Sequence, residues 1–174
     1  GSAPRLANYL SQNASVLDAV LEADFYLPLP PRAELVMSLR GGFVVARGME
    51  DVLDATRRFV KERKFQIGVQ ILSEAADGVS AGPAYADLAD TTIEALQPVT
   101  EAAFAERHGR VAGAEMVVVG MGKLGSREMS AESDLDLLFI YDHGADAEAS
   151  DGERPLAPAH YFGRPSQRFL NPLT

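Results

Sequence analysis

Hydrophobic residues recur at helical spacing through most of the first 110 residues. The longest stripe predicts an extended amphipathic helix; it consists of Tyr85, Leu88, Ala89, Thr92, Ile93, Leu96, Val99, Ala103 and Phe104. Pro98 interrupts this stripe and predicts a kink. Further helices are predicted from Arg32 to about Arg47 and over residues 52–60. Residues 3–110 are therefore predicted to form a helical region.

Two segments of this region are less regular. Residues 65–71 alternate apolar and polar positions as a strand does, yet Phe65, Val69 and Leu72 also share one helical face, so the pattern leaves both structures open. The segment from Ser73 to Pro83 contains Gly78 and Gly82 and predicts a surface loop. Residues 109–113 begin and end with glycine and are predicted to link the helical region to the C-terminal part of the chain.

Beyond this linker the pattern changes to two apolar strands joined by a glycine-rich turn, within residues 117–142. Because side chains alternate across a strand, Asp134 and Asp136 are expected on one face at the start of the second strand. The other face is expected to carry the apolar residues Leu135, Leu137, Phe139 and Tyr141. The predicted fold class is α+β, with the helical region followed by a small sheet in residues 111–174.

The two aspartates suggest a divalent-metal site. Carboxylates about 6 to 7 Å apart along a strand can share hard cations such as Mg²⁺, which favours oxygen ligands and substrate phosphates. Glycines in the turn would let phosphates approach the backbone, and nearby polar groups would donate to them. The candidate nucleotide-binding residues are Gly122, Lys123, Gly125, Ser126 and Ser133. An isolated Asp-Leu-Asp would more simply be a turn residue and a solvated residue, and a lone turn lysine would simply be solvated.

A dinucleotide-binding fold is the main competing interpretation. Gly120, Gly122 and Gly125 match the spacing G-x-G-x-x-G, and Asp142 ends the following strand. However, a strand–helix–strand unit needs about 30 residues, and the short stretch from Ser126 to Ser133 cannot hold a crossover helix. A P-loop is excluded because Val117 stands where that motif needs glycine.

Composition and charge limit the classes of partner that the chain is expected to bind. The 174 residues are 47% apolar, enough to bury a core, and carry a formal net charge of −9. This charge repels a polyanion, so a nucleic-acid partner or a template-using polymerase is not expected. The sequence has no cysteine and no apolar run long enough to span a bilayer, so no membrane partner is expected and a cytoplasmic location is predicted.

The segment G-M-G-K-L-G-S-R-E-M-S-A-E-S-D-L-D-L-L-F-I-Y-D, residues 120–142, resembles the signature of the glutamine-synthetase adenylyltransferase family, within the DNA polymerase β-like superfamily. Eleven residues separate Gly122 from Asp134, which matches the superfamily spacing. The segment E-R-K-F-Q-I-G-V-Q, residues 62–70, is also similar and favours a helix there. The likeness covers roughly residues 15–160. It is closer to the second, adenylylating domain of such enzymes than to the first, adenylyl-removing domain.

The resemblance implies Mg²⁺-dependent adenylyl transfer from ATP to a tyrosine of glutamine synthetase, with Asp134 and Asp136 as metal ligands and catalytic residues. A nitrogen-signalling regulatory protein is a further implied partner. The family's third carboxylate lies in a segment resembling D-M-R-L-R-P-S-G, which does not occur before Thr174. We therefore expect a truncated nucleotidyltransferase sheet with weak or absent catalysis. The adenylyl-removing reaction, an NAD-binding protein and a non-catalytic interaction module remain as alternatives.

Overall fold

The computed structural model describes residues 23–73 and 78–163. A 3-10 turn, Ala23–Tyr26, precedes the first long helix. The other elements, in chain order, are α1 Arg32–Phe43, α2 Met49–Leu72, α3 Gly78–His108, β1 Glu115–Gly120, α4 Gly122–Gly125 and β2 Leu137–Asp142. Residues 158–163 are also helical. The α+β class predicted from the sequence is confirmed. The predicted parts at residues 3–22 and 164–174 lie outside the described residues.

Three long helices supply most of the core. The main cluster of buried apolar residues consists of Val60, Ile67, Ala81, Tyr85, Ala86, Leu88, Ala89, Leu124 and Met129. Leu124 and Met129 come from the segment that joins the two strands, so the helical region and the sheet share this core. A second cluster contains Val52 and Leu96, with Phe139 of β2 packed against them. The core therefore holds the β hairpin against the helices.

Residues 65–71 are helical, as the family resemblance favoured. They form the end of α2, whose buried face includes Val60, Ile67 and Gln70. Leu72, which the sequence pattern placed on the apolar face, is 58% exposed. Gln66 and Gln70 are buried because their side-chain amides donate to the backbone carbonyl of Phe25. Hydrogen bonding to an irregular segment thus explains two buried polar residues that hydrophobic periodicity does not reveal.

The loop predicted from Ser73 to Pro83 is wrong over its second half. α3 begins at Gly78 and includes both Gly82 and Pro83. Gly82 is packed against other backbone, since a Cβ added there would lie 3.0 Å from the carbonyl oxygen of Arg127. Pro83 lies inside the helix, beyond the first turn in which proline is usually tolerated. A glycine that serves close packing inside a helix thus gives the same sequence signal as a loop glycine.

α3 carries the amphipathic stripe predicted for it and continues through Pro98. Pro98 has no N–H, so the carbonyl of Glu94 lacks its usual helical donor. Arg40 of α1 supplies the missing donor, with Nη2 lying 2.9 Å from this oxygen. Arg32 also joins the two helices through its contacts with Glu94 and Asp90. An arginine on a neighbouring helix thus satisfies the backbone group that proline exposes.

The two strands form an antiparallel hairpin, with Glu115 paired to Asp142 and Gly120 paired to Leu137. This pairing rules out a parallel strand–helix–strand unit at residues 115–142, which the dinucleotide-binding interpretation requires. β2 begins at Leu137, so the aspartates precede the strand rather than open it as predicted. The amide of Met121 nevertheless donates to the carbonyl of Asp136, which continues the pairing by one residue.

One face of the hairpin packs on the helices and the other is exposed. Leu135 and Leu137 pack against the main core cluster. The exposed face carries Val117, Leu138 and Ile140, each at least 49% exposed. None of the described helices combines the length and the apolarity needed to cross a bilayer.

Candidate functional site

The segment between the strands begins with a single turn of helix, α4. Leu124 anchors this turn because its side chain is 4% exposed and belongs to the main core cluster. Gly125 allows the turn to be tight, since a Cβ there would lie 2.8 Å from the carbonyl oxygen of Gly120. The turn is therefore fixed to the end of β1 and to the helices beneath it.

Asp134 and Asp136 both lie on the exposed side of the segment that leads into β2. Leu135 between them is half-buried against the core. This alternation places the two carboxylates on the same face, as the sequence pattern predicted. Neither carboxylate accepts a hydrogen bond or forms an ion pair within residues 23–73 and 78–163. Two unpaired acidic side chains thus face solvent on the same face of this segment.

Gly122 brings the turn into direct contact with the second of these carboxylates. Its φ of 51° lies in the left-handed region, where residues with a Cβ are strained. A Cβ added to Gly122 would lie 2.6 Å from Oδ2 of Asp136. Gly122 is therefore required by its own backbone conformation, and a side chain there would also displace the exposed Asp136 carboxylate.

Backbone donors lie beside this contact. The amides of Gly122, Lys123 and Leu124 form the start of α4 and donate to no acceptor in the described part of the chain. The Lys123 side chain is exposed and likewise has no partner among the described residues. Unpaired amides and an ammonium group are the donors that phosphate oxygens accept from. The turn and the aspartates together present groups of both signs at one edge of the hairpin.

The two candidate serines have partners within their own segments. Ser126 Oγ lies 3.1 Å from Glu128 Oε2 and donates to it. Ser133 Oγ accepts from the amide of Ser130 at 2.9 Å and lies 3.0 Å from that residue's hydroxyl oxygen. The structure brings Gly122 and Asp136 into contact, whereas Ser126, Ser133 and Gly125 each have a local structural role.

The two carboxylates are oxygen ligands of the kind that Mg²⁺ prefers. Two carboxylates without a protein cation are hard oxygen ligands, and Mg²⁺ commonly completes its coordination with water and substrate phosphates. Within residues 23–73 and 78–163, no group of three or more His, Cys, Asp or Glu residues could hold a metal ion. Among the described residues, Asp134 and Asp136 thus offer two oxygen ligands with no third acidic, histidine or cysteine ligand beside them.

Arg127 makes long-range contacts immediately after the turn. Its guanidinium forms ion pairs with Asp87 and Asp90 of α3, at 2.5 Å and 3.2 Å. The hydrogen bond to Asp87 is the main reason that the pKa of Arg127 is raised. No local signal identifies this role, because the two aspartates lie 40 and 37 residues earlier in the chain.

Lys64 also contacts the segment that carries the aspartates. Its Nζ lies 3.3 Å from the carbonyl oxygen of Ala131.

A groove of about 580 Å³ lies elsewhere, between α1 and α2, and is lined by residues that include Arg57, Arg58 and Lys61. Arg57 is paired with Asp54 of the same helix. The groove includes neither Asp134 nor Asp136 and is separate from the candidate site.

Comparison with known proteins identifies the family. The family model described as glutamate-ammonia ligase adenylyltransferase matches residues 1–174. The chain belongs to this family. Curated relatives carry the name bifunctional glutamine synthetase adenylyltransferase/adenylyl-removing enzyme. The one from Mesorhizobium japonicum is 47% identical over 174 residues, which cover 100% of this chain and 18% of the relative.

Two further relatives with the same name show the same coverage. The protein of Brucella suis biovar 1 is 44% identical over 173 residues, 99% of this chain and 18% of its own length. The protein of a Bradyrhizobium species is 41% identical over 174 residues, 100% of this chain and 18% of its own length. The chain thus spans less than a fifth of the length of these relatives.

Proposed function

We propose that this chain contributes the ATP-binding and metal-binding edge of a nucleotidyltransferase that transfers an adenylyl group to a tyrosine of glutamine synthetase. The observation that carries the proposal is the contact between Gly122 and Asp136, beside unpaired amides and a second unpaired carboxylate. Membership of the adenylyltransferase family over the whole chain supports the same reaction.

The proposed roles follow from charge and position. Asp134 and Asp136 hold Mg²⁺, and the amides of residues 122–124 bind phosphate oxygens of ATP together with the Lys123 ammonium. When bound, Mg²⁺ supplies positive charge that offsets the phosphates and favours attack by a hydroxyl. The rigid turn orients the phosphate chain, which is the main contribution of a protein to phosphoryl-type transfer.

We propose adenylylation as the direction of the reaction. This direction rests on the resemblance of the segment R-E-M-S-A-E-S-D-L-D-L to the adenylylating domain, since the relatives' name includes both activities. The alternative is removal of the adenylyl group by phosphate. The two activities of the intact parent enzyme are assayed separately: ATP with unmodified glutamine synthetase reports adenylylation, and phosphate with the adenylylated form reports removal. Loss of only one of these activities in the Asp136→Asn variant would assign the direction.

Titration of this chain with ATP, with and without Mg²⁺, tests nucleotide binding. We expect binding that requires Mg²⁺ and weakens by about ten-fold or more in Asp134→Asn and Asp136→Asn, since each variant removes a charged ligand. Asp142→Asn is the matched control, because Asp142 lies at the far end of the same strand and pairs with Glu115. It should bind ATP as the wild type does.

Other outcomes identify the alternatives. Binding of NAD without metal would support a dinucleotide-binding protein and contradict the proposal. Binding of glutamine synthetase that survives the double aspartate variant, with no ATP affinity in the wild type, would support a non-catalytic interaction module. Equal ATP affinity of the wild type and both aspartate variants would exclude the proposed metal site.

A further inference from the structure

Arg127 adopts a backbone conformation that normally belongs to glycine. Its φ is 60°, and among the described residues it is the sole non-glycine residue with positive φ. The amide of Arg127 donates to the carbonyl of Leu124, and that of Glu128 donates to the carbonyl of Lys123. This pair of bonds is the Schellman motif, in which the left-handed position after a helix usually carries glycine. Arginine is disfavoured there by its backbone alone.

The Arg127 side chain forms hydrogen bonds that a glycine could not form. Its Nη2 donates to Oδ1 of Asp87 and lies 3.3 Å from the carbonyl oxygen of Pro83, and its Nη1 donates to Oδ2 of Asp90. Asp87 and Asp90 lie three residues apart on α3 and therefore share one helical face. The planar guanidinium is suited to engaging several oxygen acceptors at once. A strained backbone thus persists where the side chain binds three acceptors of one helix.

The backbone of Arg127 is in contact with the same helix. Gly82 of α3 lies so close to the Arg127 carbonyl that a Cβ would be 3.0 Å from this oxygen. Main chain and side chain of one residue therefore both pack on α3, immediately after the turn that carries Gly122. Contacts of this kind fix the turn in relation to the helices, and strained residues held in this way are found at functional sites.

We infer that Arg127 is a positioning residue for nucleotide binding, and that its tether to Asp87 and Asp90 holds the glycine turn in register with Asp136. The inference rests on the proposed function for the role of the turn. Arg127 itself is directed toward α3, so it acts through the placement of the amides of residues 122–124. If residue 127 only ended α4, glycine would suit this backbone conformation better than arginine.

The decisive variant is Arg127→Gly, which relieves the backbone conformation and removes the tether. Hydrogen exchange is measured at the amides of Gly125, Ser126 and Glu128, each of which donates a hydrogen bond within the turn. We expect the three amides to exchange about ten-fold faster through local opening, while the core of α2 keeps its protection. The affinity for Mg²⁺-ATP should fall by a similar factor. If Arg127 only caps α4, hydrogen exchange of these three amides should be unchanged or slower in the variant.

Arg127→Lys and Arg57→Ala complete the series. Lysine keeps the positive charge but lacks the planar guanidinium. We therefore expect partial effects: exchange that is moderately faster and an affinity for Mg²⁺-ATP that is moderately weaker. Arg57 forms a comparable ion pair with Asp54 on α2, away from the turn, and its loss should leave both measurements unchanged. In an Asp87→Asn, Asp90→Asn background, Arg127→Gly should have little further effect. Independent, additive effects would contradict the tether.

The two proposals fail in different ways. Absence of Mg²⁺-ATP binding by the wild type would overturn the proposed nucleotide site, and with it the functional role of Arg127. Unchanged exchange in Arg127→Gly, with nucleotide binding intact, would overturn the positioning role alone. Faster exchange without loss of affinity would also overturn it, because binding would then not depend on the placement of the turn.

Discussion

The Asp136 carboxylate lies directly against the backbone of Gly122, so that a Cβ on Gly122 would come within 2.6 Å of Asp136 Oδ2. These residues belong to opposite ends of the segment joining the strands, and the antiparallel pairing brings them together. The left-handed backbone of Gly122 favours glycine at this point of the turn, and a Cβ there would displace the carboxylate. The contact also sets the spacing between the backbone donors and one of the two unpaired carboxylates.

Gly122→Ala is expected to weaken Mg²⁺-ATP binding by about ten-fold or more, because the new methyl group displaces Asp136 and the φ of 51° strains the backbone. Calorimetric titration measures the affinity. Gly68→Ala is the matched control: Gly68 lies inside α2, and a Cβ there meets nothing within 4 Å. This control should retain ATP affinity and raise the free energy of unfolding by roughly 0.5 to 1 kcal/mol. Equal ATP affinity of both variants would contradict the role of the contact.

Leu96→Ala is expected to lower the free energy of unfolding by about 2 to 5 kcal/mol. Leu96 is 0% exposed and packs in the cluster that receives Phe139 of β2, so its truncation leaves a cavity between helix and hairpin. Urea denaturation measures the change. Met37→Ala, at a residue that is 66% exposed, should change the same quantity by less than about 0.5 kcal/mol. A small effect of Leu96→Ala would show that the hairpin does not depend on this cluster.

Arg40→Ala is expected to destabilise the fold by roughly 1 kcal/mol, because the Glu94 carbonyl loses its donor beside Pro98. In a Pro98→Ala background the new amide at position 98 donates to the same carbonyl. The cost of Arg40→Ala should then be smaller, which a double-mutant cycle by urea denaturation measures. The same cost in both backgrounds would mean that Arg40 stabilises α3 in another way.

The free energy of unfolding is expected to fall as pH rises above about 10, the ordinary pKa of tyrosine. Burial raises the pKa of Tyr85 and of Tyr161 above that value, so the folded state holds these protons more tightly than the unfolded state. Their contribution is complete below pH 10 and is lost as the pH rises through the folded pKa. Tyr85→Phe should make the decline shallower in denaturant titrations between pH 9 and 11. An unchanged slope would contradict burial of an ionisable Tyr85 hydroxyl.

Local sequence patterns determined most of the secondary structure. The long stripe of α3, the two apolar strands and the same-face placement of Asp134 and Asp136 follow from spacing, because helix and strand periods are properties of the backbone. The short separation between Gly125 and Asp134 by itself excludes a crossover helix, since too few residues lie between them. The metal-binding and nucleotide-binding roles of the site residues stay predictions.

Tertiary structure alone decided which residues far apart in the chain meet. Gly82 lies in a helix, where its lack of a side chain leaves room for the Arg127 backbone. Arg127 takes up a glycine-like conformation while Asp87 and Asp90 bind its side chain. Such contacts have no period in the sequence. They arise when packed helices bring separated positions within a few ångströms, and a strained backbone or a helical proline is tolerated where those contacts compensate for it.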